Sequence, residues 1–210
     1  MQYLAIFRIA LSFKREIWIV LGVILFLLSL PVLSVAVLAN AGVVAVSQAL
    51  VSVDESTKEV EIRNPTGLVV KRLAVTSSWP VEGIVTQEFG NPGPWYDRSG
   101  HTGIDIADSH GKIGRPITTF MVGTISKVVN TDNQYGRYVF VDHGDSIVSQ
   151  YWHLSSTPAK VGQTLKPGDV IGYLGSTGIS TGPHLHFEVQ VYGVPVNPRT
   201  FVGGNPARGN

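Results

Sequence analysis

His184-Leu185-His186-Phe187-Glu188-Val189 alternates polar and apolar residues with a period of two. Read as a β-strand, it puts His184, His186 and Glu188 on one face and Leu185, Phe187 and Val189 on the opposite, core-facing one. Two imidazoles on adjacent same-face positions can serve one site. Just upstream, residues 175–183 (GSTGISTGP) form a loop of mostly small residues, which leaves a groove open beside the two histidines. Working outward, further short β-type runs cover residues 122–129 and 170–174, and residues 138–142 and 147–153 pair across the turn His143-Gly144-Asp145. No amphipathic helix pattern separates them. With 23 glycines and 12 prolines to make turns, the expected fold class is all-β, built on antiparallel sheet.

Composition narrows the chemistry. The 210 residues carry a net charge of +1, so the broad basic field that nucleic-acid binding needs is missing and no nucleic-acid partner is expected. There is no cysteine, which excludes disulfides, a thiolate zinc site and a cysteine nucleophile. Any metal must be held by His, Asp or Glu, and all six histidines lie beyond residue 100.

Two more motifs join the His-x-His pair. In His101-Thr102-Gly103-Ile104-Asp105, alternation puts His101, Gly103 and Asp105 on one face. A fully extended strand would hold residues 101 and 105 about 13 Å apart. They meet at one metal only if the backbone bends, and Gly103 permits the bend. In Tyr151-Trp152-His153-Leu154, alternation groups Tyr151 with His153 and sends Trp152 and Leu154 to the core. Each motif alone is a weak signal. Together they supply what a catalytic zinc requires, which is three N or O ligands and an open fourth position.

These residues resemble the lysostaphin/LytM-type zinc endopeptidases of peptidoglycan. The resemblance spans residues 83–198 and rests on four stretches: HTGIDIA at 101–107, Tyr135-Gly136 with VFVDHG at 139–144, Tyr151-Trp152-His153-Leu154, and GPHLHFE at 182–188. It implies a β-sheet or sandwich peptidase domain with an open groove. It also implies zinc ligands His101, Asp105 and His186, catalytic roles for His153 and His184, and peptidoglycan as the partner. The first histidine of His-x-His is then catalytic and the second a ligand, a division that spacing alone does not reveal. No His-Glu-x-x-His motif is present, so a glutamate base of that metalloprotease class is missing. The chain departs from the family at residues 108–115, where a longer loop replaces a short turn; His110 within it is read as a surface residue. His143 is read as structural, Glu188 as either a partner behind a metal ligand or, preferably, a solvent-facing strand residue, and Tyr96 as a candidate oxyanion donor by rough position. The alternative function is a catalytically silent LytM-like module that binds peptidoglycan or activates another hydrolase.

The N-terminal part has a different character. Residues 17–39 contain no charged side chain and are long enough for a single transmembrane helix of roughly 20 residues. Arg8, Lys14 and Arg15 precede the run, so the positive-inside rule leaves residue 1 in the cytoplasm and the later domain extracytoplasmic. Ala39-Asn40-Ala41 also has the form of a signal-peptidase site, so a membrane anchor and a cleaved, secreted form are both open. The expected organisation is an anchor or signal sequence at 1–42, a connector at 43–78, the peptidase domain at 79–202 and a flexible tail at 203–210.

Overall fold

The computed structural model describes residues 18–26, 42–75, 78–93, 100–131 and 133–207. Thirteen strands follow one another along the described chain: β1 (Val51–Val53), β2 (Glu59–Arg63), β3 (Val69–Ala74), β4 (Ile84–Gln87), β5 (Ile104–Ala107), β6 (Pro116–Thr118), β7 (Gly123–Val129), β8 (Arg137–Asp142), β9 (Ile147–Leu154), β10 (Thr164–Leu165), β11 (Val170–Tyr173), β12 (His184–Val191) and β13 (Val194–Val196). The main sheet runs β10-β7-β8-β9-β12-β5-β4, with β13 also on β12, and every pairing is antiparallel.

β12, the strand that carries His-x-His, sits centrally because its apolar face is continuous. Leu185, Phe187, Val189 and Val191 are all fully buried, joined by Ile104 and Ile106 of β5 and by Val139 and Val141 of β8. A second, two-stranded sheet of β6 and β11 closes the other side of this core through Ile117 and Ile171. Phe120 meets the Phe187 ring edge-on at 5.6 Å. Burying one such side chain stabilises the fold by about 1.5–3 kcal/mol. The polar faces of β12, β5 and β9 are thereby left pointing to the opposite side of the sheet, and the groove forms there.

The segment expected as a connector is itself folded onto the domain. Residues 42–50 are helical, and β1, β2 and β3 form a three-stranded sheet. The alternation Glu59-Val60-Glu61-Ile62-Arg63 signalled this: Val60 and Ile62 are fully buried and join the same core as the main sheet. The buried Glu61 is compensated by Arg72, at 2.7 Å, and by Arg63. Backbone contacts also hold residues 203–207, expected as a tail. The Gly203 carbonyl accepts from Trp79 Nε1–H at 3.0 Å, and the Ala207 carbonyl accepts from the Gly83 amide at 2.9 Å. Glycine and polar residues there reflect backbone pairing at the domain edge, which composition does not reveal. The apolar run 17–39 lies mostly outside the described residues. Its described part, 18–26, is helix, and among the described residues no helix is long and apolar enough to cross a membrane.

Candidate metal centre and catalytic groove

Strand register builds the centre. Antiparallel pairing of β5 with β12 sets Asp105 directly opposite His186. His186 Nδ1 lies 2.9 Å from Asp105 Oδ1. His101 reaches the same point from the chain before β5, which bends at Thr102 and Gly103 as the expected convergence demands. Its backbone is fixed by hydrogen bonds to Asn91 and Gly90. His101 Nε2 is 2.8 Å from His186 Nδ1 and 3.1 Å from Asp105 Oδ1. Gly103 has a second purpose beyond the bend. A Cβ there would stand 2.3 Å from the Phe187 carbonyl oxygen, so only glycine lets β12 approach closely enough to align His186.

Across the groove, His153 is the penultimate residue of β9 and His184 begins β12, with ring centroids 4.7 Å apart. A carbonyl only accepts, so the ring nitrogen facing it must donate. Three histidines are oriented this way through Nδ1 or its equivalent: His101 by the Glu88 carbonyl at 3.1 Å, His153 by that of Thr177 at 2.8 Å, and His184 by that of Gly182 at 2.8 Å. Each keeps its Nε2 for the groove. The loop 175–183, read from sequence as a groove wall, is therefore also the holder of both groove histidines. A cavity of about 300 Å³ opens between it and Asp105, His153, His184 and His186.

His153 corrects one expectation. Alternation grouped it with Tyr151 and sent Trp152 to the core, but Tyr151 is fully buried while Trp152 is on the groove side against Tyr138, at 4.3 Å between rings. The cause is the left-handed backbone at His153, φ 65°. A non-glycine residue in that region is uncommon and strained, and here the twist breaks the period of two and turns the imidazole into the groove. Glu188 is a second correction. It is 6% exposed, not solvent-facing, and its Oε2 lies 3.7 Å from His186 Nε2. Sequence alone could not decide between the two readings, because a polar strand position looks the same whether it meets water or a histidine.

The other histidines stay apart. His143 is buried, donates from Nδ1 to the Val122 carbonyl at 2.8 Å, and places Nε2 2.7 Å from Ser149 Oγ. His110 is exposed. The loop at 108–115 is braced by Asp108, which accepts from the His110 and Lys112 amides and pairs with Arg115 at 2.6 Å. Tyr96 lies outside the described residues.

Electrostatics differ across the groove. Burial alone would raise the Asp105 carboxyl, but hydrogen bonds from His101 and His186 outweigh it and hold the group well below the usual carboxylate range. Burial opposes charge on His186 as well, yet the neighbouring carboxylates of Asp105 and Glu188 prevail and lift it to about 9. His153 goes the other way: burial lowers it to about 4, helped by His184 and His186, so it is neutral at physiological pH.

The donor set fits a zinc ion. His101, Asp105 and His186 offer two imidazole nitrogens and one carboxylate oxygen. Zinc bonds of 2.0–2.2 Å in tetrahedral array put donor atoms roughly 3.3–3.6 Å apart. The observed separations of 2.8, 2.9 and 3.1 Å need only a slight opening to reach that spacing.

An all-β domain that brings a His/Asp/His cluster and two further histidines to one groove has the architecture of a metal-dependent hydrolase. Residues 99–198 match peptidase family M23, and the fold is similar to that of lysostaphin from Staphylococcus simulans, with TM-score 0.50 and 29% identity over 60% of this chain and 53% of that chain. The chain is 40% identical over 101 residues to the peptidoglycan DD-endopeptidase ShyC of Vibrio cholerae, covering 48% of this chain and 22% of that protein. It is 34% identical over 127 residues to the murein hydrolase activator NlpD of Escherichia coli, covering 60% of this chain and 31% of that one. A zinc-containing peptidase from Vibrio cholerae has a similar fold, with TM-score 0.51 and 29% identity over 74% of this chain and 47% of that chain. The chain spans between 20% and 31% of the length of such curated relatives.

Proposed function

We propose that this domain is a zinc-dependent endopeptidase that hydrolyses amide bonds in the peptide stems or cross-links of bacterial peptidoglycan. One observation carries the reading: Asp105 and His186, two members of a three-donor cluster completed by buried His101, border the same cavity as two independently oriented histidines. His101, Asp105 and His186 would hold zinc, which supplies a Lewis acid and lowers the pKa of a water toward neutrality. His153 is neutral and has its Nε2 free, so it is suited to accept the water proton. His184, fixed at Nδ1 by Gly182, can donate from Nε2 to the developing oxyanion when protonated there. The apolar run 17–39 would anchor the domain outside the cytoplasmic membrane, or be cleaved near Ala41 to release it.

The test is turnover of purified cell wall by the full chain, with mass analysis of the fragments, before and after zinc is removed and restored. Peptide fragments released only by the zinc-loaded protein support the reading; intact wall with loaded protein sinks it. The likeness to NlpD keeps a second reading alive, in which the domain activates another hydrolase. That reading is favoured if the loaded protein leaves cell wall intact yet raises turnover by an added amidase.

A further inference from the structure

Glu188 is nearly buried, and a buried carboxylate is costly unless something compensates it. Its Oε1 accepts from Gln190 Nε2 at 2.5 Å, which fixes the side chain. The side-chain nitrogen facing its Oε2 is His186 Nε2, at 3.7 Å. His186 is thus held at both ends: Nδ1 faces Asp105 and His101, while Nε2 faces Glu188. Behind His101, the Glu88 carbonyl accepts from Nδ1.

We propose that Glu188 is a positioning residue for the metal centre: its carboxylate, 3.7 Å from Nε2 of His186, favours the tautomer that carries its proton there, leaves Nδ1 as ligand and strengthens that nitrogen as a donor. The inference rests on the zinc reading of the cluster given above. Carboxylates behind metal-bound imidazoles act in this way, and their loss typically weakens metal binding about 10- to 100-fold. Glu188 touches no reacting atom, so its effect is read in the metal first and in turnover only through it.

The experiment compares wild type, Glu188→Gln and Glu188→Ala as full chains. Zinc affinity is measured by competition with a colorimetric chelator, the ligand field by the visible absorption of cobalt-loaded protein, and folding by near-ultraviolet circular dichroism of the metal-free forms. Glu188→Ala should bind zinc about 10- to 100-fold more weakly. Glu188→Gln, whose amide oxygen still accepts a hydrogen bond, should fall between it and wild type. The cobalt spectrum should shift in the order wild type, Gln, Ala. Wild-type affinity in Glu188→Gln and Glu188→Ala overturns the proposal, as does a loss that comes only with a lost tertiary signal. Should Glu188→Ala fail to fold, weakened zinc binding by folded Glu188→Gln decides for the proposal and undiminished binding against it. A wild-type chain that binds no zinc would defeat the metal reading itself, a distinct result.

Discussion

Gly103→Ala tests how the centre is assembled. The added methyl would stand 2.3 Å from the Phe187 carbonyl oxygen, 2.9 Å from its carbonyl carbon and 3.1 Å from His186 Cε1. Ordinary contact begins near 3.4 Å, so β5 and β12 would have to part by about 1 Å. The obstructing atoms are backbone, and Phe187 behind them is fully buried, so no side-chain rotation relieves the contact. Overpacking of this kind costs typically 1–3 kcal/mol, and a backbone clash belongs at the upper end, about 3 kcal/mol. For a chain of this size that lowers Tm by about 6–12 °C. The same displacement pulls Asp105 from His186, while metal sites tolerate only about 0.2 Å of error in ligand distance. Zinc affinity should therefore fall with Tm. The assay is thermal melting with chelator and with zinc, beside chelator competition. Gly182→Ala is the stability control, since nothing lies within 4 Å of its Cβ position. A Gly103→Ala protein that melts within about 2 °C of wild type and binds zinc normally would refute the close-approach argument.

Gly178 has φ +76°, and a Cβ there would stand 2.2 Å from the Gly136 nitrogen, so Gly178→Ala should displace the loop that orients His153 and cut wall turnover while zinc stays bound; normal turnover would contradict this. His101→Ala and His186→Ala should each sharply reduce zinc content by atomic absorption, because two remaining ligands make a poor site. The metal-free protein should lose stability on both sides of neutrality. Burial lowers His153 to about 4 and also lowers His143, so their contribution is complete above about 6.5 and is lost as pH falls through their folded values. His186, lifted to about 9, has the opposite sign: its contribution is complete below about 6.5 and is lost as pH rises through 9. Urea midpoints between pH 4 and 10 check both limbs, and stability that climbs steadily from pH 7 to pH 5 would contradict the assignment.

Much of the domain was legible because period-two alternation is a direct record of a half-buried strand. β12 shows this most clearly, and its pairing with β5 is what brings Asp105 and His186 together. Alternation failed at His153, where a left-handed residue lets Trp152 and His153 both leave the core. It also could not tell a buried polar position from an exposed one, which hid Glu188. Composition does not show that residues 42–75 and 203–207 join the domain, since short strands and backbone hydrogen bonds leave little trace in it. The His-x-x-x-Asp and His-x-His spacings named residues that share a site, but their division into ligands and groove histidines came from family resemblance. The geometry adds a physical basis for that division: His153 and His184 are each tied through Nδ1 to the 175–183 loop, and the other three donors face one another.

That division is tested most directly in His153→Ala. Zinc stoichiometry and cell-wall turnover are measured on the same preparation, beside wild type. Loss of a general base costs about 100- to 10,000-fold in rate. The variant should therefore hold zinc at the wild-type ratio and lose at least about 100-fold in turnover. Wild-type turnover would remove His153 from the chemistry, and lost zinc would make it a ligand; either result contradicts the site described above.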